Sequence, residues 1–72
     1  MRTIEDYTRK GWDPESDAHC VQLIFDREPL GDEELVEAAE SVTLEAIKRE
    51  LPFEVLIHDG KLYMTGIPAH MA

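Results

Sequence analysis

The chain has 72 residues, 16 acidic against 7 basic side chains and a formal net charge of −9. That length suits one domain, residues 1–72, burying only about 60% of its unfolded surface, and its charge repels phosphate backbones and anionic lipids, so neither direct nucleic-acid binding nor a membrane partner is expected. A lone cysteine, Cys20, excludes an internal disulfide and fits a reducing, cytoplasmic setting, while the charges close behind Met1 argue against a secretory leader or a membrane span.

In chain order, residues 3–11 (TIEDYTRKG) read as a short helix. Thr3 is its cap, Asp6 the third position of a variant capping box, and Gly11 the residue past its end. Arg9 and Lys10 then fall in the last turn, where cations suit the dipole. Residues 12–19 form a loop announced by Asp13-Pro14. Residues 20–26 (CVQLIFD) are β-branched and aromatic at strand length. Val21, Leu23 and Phe25 alternate onto one face; Cys20, Gln22 and Ile24 take the other.

Residues 31–51 (GDEELVEAAESVTLEAIKREL) read as one long amphipathic helix. Asp32, Glu33 and Glu34 crowd the positive end of its dipole, and Lys48 and Arg49 the negative end. Leu35, Val36, Ala39, Val42, Ala46 and Ile47 make the stripe that meets a core, and Pro52 ends the helix. In residues 53–66 (FEVLIHDGKLYMTG), Asp59-Gly60 separates two alternating runs and calls for a type I′ hairpin. A two-residue turn sets His58 opposite Lys61, Ile57 opposite Leu62, Leu56 opposite Tyr63 and Val55 opposite Met64. Val55, Ile57, Leu62 and Met64 then share a face. Residues 67–72 read as a tail.

The fold class expected is α+β: a short N-terminal helix, then β-α-β-β, with a three-stranded sheet packed on one long helix. The first strand, long helix and second strand form a crossover, and the third strand joins by the hairpin. The second face of the sheet, with Cys20, Ile24, Leu56 and Tyr63, is too apolar to stand in water. Its candidate covers are the N-terminal segment, through Ile4, Tyr7 and Trp12, or a second copy of the chain in a small homodimer.

No nucleotide-binding, nucleophile-elbow, zinc-protease or paired-cysteine motif occurs, so no catalytic residue, metal ligand or cofactor is expected. Cys20 and His58 are placed where they could approach on the sheet; with Tyr63 they outline a small-ligand-responsive regulator as a third reading. The sharper signal is on the long helix. Glu33, Glu37, Glu40 and Leu44 lie on the side away from the core stripe, an apolar centre with an acidic rim. That pattern suits a non-enzymatic protein-binding module, an inhibitor or adaptor that meets a basic protein and competes with nucleic acid for it. Phages and mobile elements make many small acidic proteins of this kind.

Overall fold

The structure, a computed structural model, describes residues 2–27 and 29–66. The expected tail at 67–72 lies outside the described residues. A 3₁₀ turn, Ile4–Tyr7, leads to strand β1 (Cys20–Leu23), helix α1 (Asp32–Lys48), strand β2 (Glu54–His58) and strand β3 (Lys61–Thr65). This is the expected small α+β fold.

The hairpin forms as the sequence dictates. Asp59 and Gly60 both have positive φ, 52° and 72°, as a type I′ turn requires. The register pairs His58 with Lys61, Ile57 with Leu62, Leu56 with Tyr63 and Val55 with Met64. Val55, Ile57 and Leu62 enter the core with Leu35 and Ala39, and Met64 packs beside them.

The strand order is β1-β3-β2, with both ladders antiparallel. The crossover through α1 therefore joins two strands separated by β3, not two neighbours. Placing β3 in the centre makes every pairing antiparallel, whereas β1 beside β2 would form a slightly weaker parallel pair. β1 stops at Leu23, three residues before the run in the sequence ends. Leu23 pairs with Leu62, so only Lys61 remains on β3 before the hairpin turn and the ladder has no further partner.

Two helix ends differ from expectation, the C-terminal ends of α1 and of the first helix. At its start, α1 takes only half of a capping box: the Gly31 N–H donates to Glu34 Oε1 at 3.3 Å. The helix ends at Lys48, short of Pro52. Glu50 N–H donates to the Ile47 carbonyl at 3.1 Å and Leu51 N–H to the Ala46 carbonyl at 2.9 Å, a Schellman pair. Glu50 supplies the left-handed residue (φ 54°) that glycine usually fills. The first helix is a single 3₁₀ turn and not a helix to Gly11. The Asp6 carboxylate accepts the Thr3 N–H at 2.6 Å, and the chain leaves helical geometry at Thr8. Gly11 (φ 80°) instead serves a separate turn in which the Trp12 N–H donates to the Arg9 carbonyl at 3.3 Å.

The N-terminal segment divides between the two faces of the sheet. Ile4 and Tyr7 pack into the core on the α1 side, with Tyr7 only 4% exposed. An ion pair between Arg9 and Glu54 ties the chain to the outer edge of β2. Among the described residues, the loop from Trp12 onward is what covers the second face. The expectation that Ile4 and Tyr7 cover it is corrected, because their spacing points them at α1 and β2.

Candidate interaction surface

On the second face of the sheet, one carboxylate holds the covering loop. Asp17 Oδ2 accepts the Trp12 indole N–H at 3.1 Å and the Thr65 hydroxyl, and its Oδ1 accepts the His19 backbone N–H at 2.9 Å. The Thr65 hydroxyl, then the His19 N–H, then the Trp12 N–H hold the Asp17 carboxyl below its ordinary value. The local sequence builds this latch. Asp13 Oδ1 accepts the Glu15 N–H at 3.0 Å and its carbonyl the Ser16 N–H at 3.2 Å, turning the chain at Pro14 so that Asp17 comes back under Trp12.

The indole then lies edge-on to two rings of the sheet, 5.4 Å from Tyr63 and 5.8 Å from His58 between centroids. Of the residues expected on this face, Leu56 is buried, Tyr63 and Cys20 are half-buried, and Ile24 is exposed just past the end of β1. Burial, and then the Asp17 charge, push the Cys20 thiol up, which disfavours the thiolate.

Cys20 and His58 do not meet. Cys20 pairs with Thr65 at one end of β3, and His58 pairs with Lys61 at the other end and on the opposite side. The intervening β3 separates them, so no thiol–imidazole pair forms. Among the described residues, no group of three His, Cys, Asp or Glu side chains is placed to hold a metal ion.

The outer face of α1 is different. Glu33, Glu37, Glu40 and Leu44 are all exposed, and positions i, i+4, i+7 and i+11 set them along one side of the helix. Leu44 is 57% exposed and does not fold under the N-terminal segment. Ile47 joins it. The stripe in the sequence assigned Ile47 to the core, yet it is 65% exposed. Ile47 lies only about 60° around the helix from Leu44, nearer to it than to the Leu35–Ala39 centre of the stripe, so its angle was the available signal. Arg2 and Tyr7 border these two side chains in a shallow cleft with Glu40. The Arg2 guanidinium lies 5.6 Å from the Tyr7 ring centroid and donates to its hydroxyl at 3.4 Å.

The ion pairs among the described residues lie off this face. Glu34, Glu45 and Glu54 each have an arginine: Arg27, Arg49 and Arg9. Among the described residues, Glu33, Glu37 and Glu40 have no such partner. The arrangement is an exposed leucine and isoleucine beside three carboxylates that have no ion-pair partner among the described residues.

Comparison with protein-family models, with curated proteins and with solved structures finds no match to this chain. No helix among the described residues is long and apolar enough to cross a membrane.

Proposed function

We propose that this chain is a non-enzymatic protein-binding module of the inhibitor or adaptor type, engaging a basic partner protein through the outer face of α1. The observation that carries this reading is the exposed Leu44–Ile47 pair beside Glu33, Glu37 and Glu40, carboxylates without an arginine among the described residues. An apolar centre with a charged rim is the anatomy of a transient interface: the centre supplies affinity, and the rim supplies steering and register. The net charge of −9 adds long-range attraction toward a cationic surface. Such a surface is also what a nucleic-acid-binding cleft presents, so the module would compete with nucleic acid for it. The free thiol fits a cytoplasmic setting, and the small acidic form suits a phage or mobile-element product as well as a cellular one.

Affinity capture from the native cell, with wild type and the Glu33→Lys/Glu37→Lys/Glu40→Lys variant as parallel baits, tests this reading. A basic protein held by wild type, released by moderate salt and not held by the charge-reversed bait is the expected result. Equal retention of the same partner by both baits contradicts it.

A further inference from the structure

The two edges of the sheet are not equivalent. The outer side of β2 is flanked by the 3₁₀ turn Ile4–Tyr7 and crossed by the Arg9–Glu54 ion pair. Among the described residues, β1 has β3 on one side and no strand on the other. Helix α1 packs mainly on β2 and β3, and Val21 on the helix side of β1 is left 41% exposed. Ile24, just beyond the strand, is 79% exposed.

Exposed edges are commonly kept short, or guarded by a lysine, a proline or an inward charge. β1 is short, at four residues, and carries no such guard residue. Residues 18–25 (AHCVQLIF) contain no Asp, Glu, Lys or Arg. In a chain of net charge −9, this is a strip along which two copies can approach without setting carboxylate against carboxylate.

We infer that β1 is the interface of a homodimer in which two copies pair antiparallel, edge to edge, about a two-fold axis at Gln22. An unpaired strand edge specifies another strand as its occupant, and lack of charge along it favours an uncharged one, which this chain itself carries. A two-fold axis normal to the sheet keeps each residue on its own face, so opposed residues must share a face. Centring on Gln22 satisfies this. The two Gln22 amides face each other and can exchange hydrogen bonds. Val21 opposes Leu23 of the second copy on the helix side, and Cys20 opposes Ile24 of the second copy on the other side. Apolar pairs thus flank a central amide pair on both faces, and two three-stranded sheets become one of six strands. The outer faces of α1 take no part in this pairing, so the inference stands apart from the proposed partner site.

The lone cysteine makes the register testable. In Ile24→Cys, residues 20 and 24 of one strand are about 13 Å apart and cannot bridge, whereas Cys20 and the new thiol of the second copy are directly opposed. Sedimentation of wild type is expected to give a mass of twice 8.2 kDa at high concentration, with Ile24→Lys monomeric and normally folded by circular dichroism. With oxidised glutathione, Ile24→Cys is expected to form a covalent dimer, and the exposed-cysteine control Leu44→Cys is not. A wild type that stays monomeric at every concentration overturns the inference. So does a dimer that persists in Ile24→Lys, or one in which Ile24→Cys links no better than Leu44→Cys.

Discussion

The second face of the sheet and the outer face of α1 look alike in the sequence, for both mix apolar and polar side chains. They end differently. Over β2 and β3 the sheet face is covered by the chain's own Trp12, latched through Asp17, with Leu56 buried and Tyr63 half-buried, while Ile24 past the end of β1 stays exposed. The helix face keeps Leu44 and Ile47 in solvent, although Arg2 and Tyr7 stand beside them. A mixed face is therefore not in itself a sign of a partner. It becomes one only after the chain's own segments have been placed and have left it uncovered.

The largest effect expected from breaking that contrast is on the covered side. Trp12→Ala removes a half-buried indole packed on Tyr63 and His58, so it should cost about 2 kcal/mol, below the range for a fully buried tryptophan. Urea unfolding measures it. A loss of only a few tenths would mean that the loop does not cover the face.

The latch itself should show a pH signature. Asp17 has a depressed pKa in the folded state, so its contribution is fully present above the ordinary value of 3.8 and is lost as pH falls through the lower folded value. Asp17→Asn should lower the thermal midpoint at neutral pH by less than Trp12→Ala does. The gap to wild type should close as pH falls below 3.8. A gap that stays constant through that range would show that the carboxylate charge is not what holds the loop.

A smaller change of opposite sign sharpens the comparison by altering neither surface. Glu50 occupies a left-handed position that disfavours a side chain. Glu50→Gly should raise stability by about 0.5–1 kcal/mol, measured by the same urea titration, and should leave partner capture unchanged.

The parts of the fold that were legible obey short-range rules. Asp59-Gly60 fixed the hairpin register, and alternation placed Val55, Ile57 and Leu62 on the core face. The dipole charges and stripe located α1 within a few residues. What was not legible depends on tertiary choices. Nothing local says that β1 joins β3 instead of β2, since the antiparallel preference acts only once the hairpin exists. Glu50 hid the end of α1, because the Schellman position there carries no glycine. Ile4 and Tyr7 could be placed on either side of the sheet until the path past the edge of β2 was known. At the candidate site, Leu44 and the three carboxylates were readable from helical angle. Ile47 was missed because the stripe was drawn too wide: Ile47 lies only about 60° around the helix from Leu44, while its neighbour Ala46 is buried.

The smallest stability effect belongs to the residue on which the functional reading most depends. Leu44→Glu should alter unfolding free energy by no more than about 0.5 kcal/mol, because its side chain is already in solvent. Calorimetric titration of the captured basic partner with wild type and Leu44→Glu is the most direct test of the account. The account predicts a loss of roughly 1–3 kcal/mol of binding free energy with the fold intact. Unchanged affinity would contradict it, for the outer face of α1 would then be only a solvated surface.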